Sequence, residues 1–343
     1  VRLFKSSSIT VVILSFILVL AACGSNKSGS GESSPPPSAK PSETASGNSN
    51  TSEGAFPLKI THAKGETVLD KPAIRVVGLE WIFSESLVAL GIQPVGNADN
   101  VEYKTWVGAE AALSADVTDV GLRWEPDFEA IAALKPDLII SNTDNNSAHY
   151  DQLKAIAPTI EFDPYADEGD SYTRMIEIFN AIAAATGKTA EAEKVLSELE
   201  QHYTEAKTKL AAAGKADLNY VITQAFTYQN AVTVRMFTDT STVSQTLSRI
   251  GLKNDWKTEK FEKYGFTNST IEALPAVSDS NFIYIVQPDD DVFGEPLKNN
   301  SVWNGLNFVK EKRTYPIDGD TWTFGGPISS KSLVDRVVTS LTK

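Results

Sequence analysis

The chain holds one cysteine, three histidines and two methionines among 343 residues. A single thiol excludes a disulfide framework and any cysteine-built metal site. His62, His149 and His202 stand far apart and form neither an H-x-x-x-H nor an H-E-x-x-H pattern, so they read as surface residues rather than metal ligands. Catalytic signatures are equally scarce: there is no G-x-S-x-G elbow, no glycine-rich nucleotide loop and no carboxylate pair set apart as an acid/base couple. The chain is read as a non-enzyme. Positive charge is in deficit, with a net charge of -13, which argues against nucleic acid or an anionic membrane surface as partner. Membrane-spanning length is missing too. The one long apolar run, Ile9 to Leu20, is broken by Thr10 and Ser15 and is too short for a comfortable span.

That run has the length of a signal-peptide core. Arg2 and Lys5 precede it, and it ends in Leu20-Ala21-Ala22-Cys23, the bacterial lipobox pattern. Residues 1–22 are therefore expected to be a lipoprotein signal peptide, and Cys23 the site of a thioether-linked diacylglycerol and acylation. Residues 23–55 are almost entirely small or polar, with Pro35-Pro36-Pro37 at their centre. Such a stretch cannot build a core and is predicted to be a disordered tether, reaching on the order of 100 Å when fully stretched. The expected address is the extracellular face of a cell membrane. An anchor of this kind suits a Gram-positive cell, which has no outer membrane to retain a free protein.

The body from residue 56 onward alternates strand and helix signals, the mark of an α/β protein. Strands are expected at Arg75–Leu79, Leu138–Ile140 and Thr159–Phe162, with helices at Ser84–Leu90, Asp127–Leu134 and Ala148–Ala157. A comparable series follows: strands Asn219–Phe226 and Phe282–Val286, helices Ser241–Ile250, Ser269–Ala276 and Ser330–Leu341. Between the series lies a helical region, Ser171–Ala213, broken at Gly187. Gly187-Lys188-Thr189 resembles the end of a phosphate-binding loop, but Ile182 occupies the upstream glycine position and no strand precedes it. The predicted organisation is an N-terminal α/β lobe at 56–167, a backbone helix at 168–188 and a C-terminal α/β lobe at 189–343.

One short element recurs. Phe128-Glu129-Ala130-Ile131 leads through a turn into Leu138-Ile139-Ile140, and Ile271-Glu272-Ala273-Leu274 leads into Phe282-Ile283-Tyr284. Each lobe thus carries a glutamate early in a short helix before a buried strand. Taken alone, this pattern equally suits acidic residues placed to match the helix dipole.

Longer segments resemble a known family. They are Leu79-Glu80-Trp81, the run Glu85 to Gly96, Asp119-Val120-Gly121-Leu122-Arg123-Trp124-Glu125-Pro126, Ala133 to Ile140, and Trp322-Thr323-Phe324-Gly325-Gly326-Pro327. Together they resemble the periplasmic-binding family that delivers ferric siderophores to ABC transporters, particularly its ferric citrate and hydroxamate branch. The resemblance implies two α/β lobes joined by one long backbone helix, with the ligand cleft between the lobes and only modest closure. It also implies a monomer that docks on a permease dimer through one surface glutamate per lobe. The matching positions are Glu129 and Glu272, with Glu125 as an alternate on the first lobe.

A ferric chelate fills iron's coordination sphere itself, so no intrinsic cofactor or protein metal ligand is expected. Recognition of its oxygen-rich surface calls for guanidinium groups and rigid aromatic walls. Arg123 and Arg235 are the candidate cations, and Trp81, Tyr103, Trp106 and Trp322 the candidate aromatics. Trp81 and Trp322 are expected in loops. Two cleft arginines favour a citrate or citrate-hydroxamate chelate. Cobalamin or haem on the same fold, or a surface sensor or adhesion protein that feeds no permease, are the competing expectations.

Overall fold

The computed structural model describes residues 56–165, 169–229 and 231–343. Cys23, the signal peptide 1–22, the tether 23–55 and the boundary between 167 and 168 lie outside the described residues.

In the N-terminal lobe five strands form one parallel sheet. Their order is Thr118–Asp119, Gly96–Asn97, Val76–Gly78, Leu138–Asn142 and Thr159–Phe162. Val76–Gly78 and Leu138–Asn142 are buried at every position, which is why they read as continuous apolar runs rather than alternating ones. A hairpin, Leu58–His62 with Gly65–Leu69, precedes this sheet. It carries His62 inward, so His62 is buried rather than a surface residue. Its Nε2 lies 3.0 Å from Thr67 Oγ1, and its Nδ1 accepts the amide N–H groups of Lys64 and Glu161. Burial holds its pKa below the ordinary histidine value.

The C-terminal lobe is mixed rather than a second parallel series. Its strands run Phe266–Ser269, Ala231–Phe237, Asn219–Tyr228, Asn281–Ile285 and Thr314–Ile317, with Lys253–Asn254 also pairing with Asn219–Tyr228. Asn219–Tyr228 is parallel to Asn281–Ile285 but antiparallel to Ala231–Phe237. The segment expected as a helix over Ser269–Ala276 is instead the end of a strand followed by a 3-10 helix, Ile271–Val277. Pro275 explains the tighter winding, since it has no N–H to sustain an α-helical ladder.

The backbone helix runs Ser171–Thr186, about 24 Å at the standard rise per residue. The Asp170 side chain accepts the Thr173 amide N–H at 2.7 Å, and Gly187 ends the helix at φ 68, where only glycine enters without strain. Its buried side, with Tyr172, Met175, Phe179 and Ile182, meets helix Trp81–Ala89 of the first lobe and helix Thr242–Arg249 of the second. One apolar core is therefore continuous through both lobes. The helix Thr189–Ala212 packs along the C-terminal helix Pro327–Thr342. That last helix also crosses to the first lobe, where Glu85 holds its N-terminus. The Glu85 carboxylate accepts the amide N–H groups of Gly326 and Ser329 and the Ser329 hydroxyl, at 2.8 to 2.9 Å.

Candidate functional site

The parallel strands of the first lobe end at a cleft of about 580 Å³ whose opposite wall comes from the second lobe. Binding groups collect at the carboxyl ends of such strands because the chain leaves the sheet there. Glu80 follows Val76–Gly78, Asp99 follows Gly96–Asn97, and Asn142 ends Leu138–Asn142.

Glu80 organises this wall. One carboxylate oxygen accepts the Trp81 amide N–H and an Arg123 guanidinium N–H, each at 2.9 Å. The other accepts the side-chain amides of Asn142 at 2.9 Å and Asn145 at 3.2 Å. Because the Glu80 side chain caps the helix, that helix begins at Trp81. Trp81 is thus not in a loop, as expected, but is the first residue of a helix three residues longer at its start. Glutamate is an uncommon N-cap, which is why the sequence pattern placed the start at Ser84.

Trp81 is buried yet faces the cleft, with the Arg123 guanidinium 3.8 Å above its ring and its Nε1 donating to the Ala98 carbonyl. The ring of Trp322, in an irregular segment, lies 4.9 Å from Trp81 and 6.2 Å from Trp106. These three indoles and Arg123 form one continuous surface. Tyr103 does not join it. Its ring meets Trp81 edge-on at 6.4 Å from the interior, and its hydroxyl donates to the Ala111 carbonyl at 2.8 Å. Burial pushes that phenol up, so it stays protonated as a donor.

On the facing wall, Arg235 lies on strand Ala231–Phe237. It is the register partner of Gln224, whose Oε1 accepts its Nη1–H at 3.2 Å. Phe226 and Phe266 flank the guanidinium, with ring centroids at 4.9 and 4.8 Å. Burial lowers its pKa from the ordinary value, and cation–π contact offsets part of that cost. The Nε atoms of both arginines and Nε1 of Trp322 are buried donors with no acceptor among the described residues.

Sequence reasoning missed several cleft residues. Eight of the seventeen lining residues are aromatic, and Trp124, Tyr165, Tyr264, Phe266 and Phe324 had not been singled out. Trp124 sits next to Arg123 in the quoted motif, so its signal was present. Tyr165, Tyr264 and Phe266 are brought together by packing between lobes, which no local pattern encodes. The carboxylates were missed too: Glu80, Asp99, Glu102 and Asp144 all line the cleft. An acidic residue placed just after a buried strand was the available clue for Glu80 and Asp99. Arg123 and Arg235 therefore share the cleft with four carboxylates.

Glu129 and Glu272 are both exposed, one on each lobe. Glu129 lies in the first turn of the helix Phe128–Ala133, whose cap Asp127 accepts the amides of Glu129 and Ala130 at 3.0 Å. Glu272 accepts a hydrogen bond from the Thr270 hydroxyl, which holds its carboxyl below the usual range. None of the three histidines lines the cleft. Among the described residues, no three His, Cys, Asp or Glu side chains gather as a metal site, and no helix is long and apolar enough to cross a membrane.

Known proteins are similar to this chain in sequence and fold. Fe(3+)-citrate-binding protein YfmC of Bacillus subtilis is 28% identical over 335 residues, covering 97% of this chain and 96% of that one. YhfQ of the same species, which carries the name of an ABC transporter substrate-binding lipoprotein, is 30% identical over 328 residues, covering 93% and 92%. The crystal structure of siderophore-binding FhuD from Vibrio cholerae with Fe3+-Desferal superposes with a TM-score of 0.71 at 26% identity, covering 78% of this chain and 98% of that one. Residues 76–321 match the periplasmic binding protein family; two α/β lobes, a helical connection and a cleft between them are its architecture here, and the chain belongs to that family.

Proposed function

We propose that this protein is the substrate-binding lipoprotein of an ABC importer, capturing a ferric siderophore in the cleft and delivering it to a permease dimer. The observation that carries this reading is the cleft itself. Two lobes present one arginine each, Arg123 and Arg235, across a space walled by aromatic rings. Guanidinium groups suit the oxygen-rich face of a chelate, and rings suit its carbon framework. The names of YfmC and FhuD support the same ligand class. No catalytic role is assigned.

Delivery follows from three further elements. Cys23 carries the lipid that holds the chain on the extracellular face of the membrane, with residues 23–55 as its leash. Tethering raises the effective concentration of the body near its permease. Glu129 and Glu272, one per lobe and both exposed, dock on permease cations, and the protein acts as a monomer. The domain limits follow the same scheme, with the helix at 168–188 between lobes at 56–167 and 189–343.

Tryptophan fluorescence tests the reading directly. Four of the six tryptophans, Trp81, Trp106, Trp124 and Trp322, line the cleft, so a bound ferric chelate quenches them. Saturable quenching by at least one iron-loaded siderophore, and weaker binding of the iron-free chelator, is the expected result. A panel of ferric citrate, hydroxamate and catecholate complexes that leaves the emission unchanged overturns the proposal.

A further inference from the structure

Charge on the cleft walls narrows the chelate it accepts, and this step rests on the ferric-siderophore reading above. Four carboxylates line the cleft against two guanidinium groups. Arg123 is paired with Glu80, and Asp144 with Lys263 of the facing lobe. Asp99 and Glu102 make no ion pair among the described residues, and Glu102 accepts only the Trp106 indole N–H at 3.2 Å. Arg235 is the remaining cation of the lining, and no carboxylate pairs with it among the described residues. Desolvation favours the neutral form of Asp99, with Arg123 opposing it. Even with Asp99 neutral, the walls carry no excess positive charge.

A chelate bearing several free carboxylates gains nothing from such walls. Its negative charge would sit beside Glu102 at the exposed edge and beside the buried Asp99, whose ionisation it would further oppose, so neither wall residue favours a polyanion. A ferric tris-hydroxamate differs in both respects. Three singly charged hydroxamates neutralise Fe3+, so the complex is uncharged, or cationic where the chain ends in an ammonium group. Its exterior is largely the carbon linkers between the hydroxamates. The cleft offers those linkers exposed rings at its edge: Trp124 is 53% and Tyr264 45% exposed, and both line the cavity.

We propose that Asp99 and Glu102 are specificity residues that exclude carboxylate-rich ferric chelates and reserve the cleft for uncharged or monocationic ferric tris-hydroxamates. Arg123 and Arg235 then serve as hydrogen-bond donors to hydroxamate oxygens rather than as counter-ions for a polyanion.

The test titrates the full chain in detergent, by tryptophan quenching, with three iron complexes: ferric dicitrate, an uncharged cyclic tris-hydroxamate and a linear tris-hydroxamate ending in an ammonium group. The native chain is expected to bind both hydroxamates at least tenfold more tightly than dicitrate. In Asp99→Asn with Glu102→Gln, the ratio of dicitrate to ammonium-hydroxamate affinity is expected to rise at least fivefold. Glu102→Gln alone, at an exposed helical position, is expected to move the ratio in the same direction and serves if the double variant does not fold. Dicitrate binding as tightly as the hydroxamates, or a ratio unmoved in the variants, overturns the selectivity and leaves the ferric-siderophore reading standing. Absence of quenching by all three complexes overturns both.

Discussion

The Glu85 carboxylate accepts the backbone N–H of Ser329, 244 positions further along the chain, at 2.8 Å. With the Gly326 amide and the Ser329 hydroxyl it caps the C-terminal helix from the other lobe. Glu85 is wholly buried, so the bond is a second joint between lobes whose covalent connection is the backbone helix. A joint on each side limits how far the cleft can open. Glu85→Ala leaves three buried donors unpaired and is expected to cost about 3 kcal/mol, lowering Tm by roughly 5–10 °C. Gly325→Ala acts on the same joint, because an added Cβ would overlap Ser329 and the Glu85 carboxylate. Differential scanning calorimetry of the two variants checks both, and Tm values equal to the parent's would remove the joint.

The same carboxyl predicts a pH dependence. Burial pushes the Glu85 pKa above its ordinary value of 4.5, against the helix-terminal hydrogen bonds that pull it down. The folded chain therefore holds this proton more tightly than the unfolded chain does. Its contribution to stability is complete below the unfolded pKa and declines as pH rises through the folded value. Glu85→Gln cannot titrate, so the unfolding free energy of the parent minus that of the variant is expected to fall as pH is raised from about 4.5 toward 7. Urea melts across that range measure it, and a difference that rises with pH would contradict the argument.

Arg123 joins structure and binding at one point. It satisfies Glu80, whose side chain is 6% exposed against 21% for its own, and it covers Trp81. Arg123→Ala should weaken the ferric chelate at least tenfold, since a charge-assisted hydrogen bond is worth about 1.5–3 kcal/mol. It should also destabilise the ligand-free chain by about 2 kcal/mol, because Glu80 loses its cation. Arg235→Ala removes no ion pair and is expected to lower affinity with a smaller change in Tm. Titration and thermal melts of both variants separate the two effects. Equal stability losses would mean that Arg123 does not support Glu80.

How much of this was legible depends on the range of the interaction. The buried strand at Leu138–Ile140, the helix break at Gly187 and the helix start near Ser241 are set by neighbours in sequence, and all were readable. The hairpin strand that carries Arg235 was not, because Val232 and Arg235 take meaning only from partners on Asn219–Tyr228 and Phe266–Ser269. The cleft divides the same way. Arg123, Trp81 and Trp322 followed from recognisable segments, whereas the Tyr165–Tyr264 contact at 5.2 Å joins residues from different lobes. Tyr103 failed as a cleft residue for a related reason. It is held in the interior by packing between distant segments, with its ring edge-on to Trp81 and its hydroxyl donating to the Ala111 carbonyl, which no local pattern encodes.

Glu129 and Glu272 make a prediction that separates transport from binding. Both are exposed, and neither lines the cleft, so replacing them with alanine should leave chelate affinity within about twofold of the parent, as expected for surface positions. Uptake of radioactive iron by cells carrying only the Glu129→Ala, Glu272→Ala double variant is expected to be abolished. Each single variant should retain part of the rate, since the proposed docking has each lobe contact the permease separately. Normal uptake by the double variant would end the docking assignment.

Lys263 and Asp144 pair across the mouth of the cleft, one from each lobe, with side-chain exposures of 36% and 17%. The pairing raises the Lys263 pKa, so the bridge persists throughout the neutral range. Tyr165 and Tyr264 meet beside it. These contacts are expected to close over a bound ligand and hold it in place, whereas a ligand enters before they form. Partly exposed bridges are worth about 0.5–1 kcal/mol, which corresponds to roughly a two- to fivefold change in rate. Lys263→Ala is therefore expected to speed dissociation of the bound chelate by that factor while association changes little. Stopped-flow quenching with a displacing ligand measures both rates in one preparation. Raising salt to about 1 M should speed dissociation from the parent but not from the variant, because screening acts on a bridge that the variant no longer has. Faster dissociation in both, or in neither, would show that the mouth is held by the aromatic contact alone.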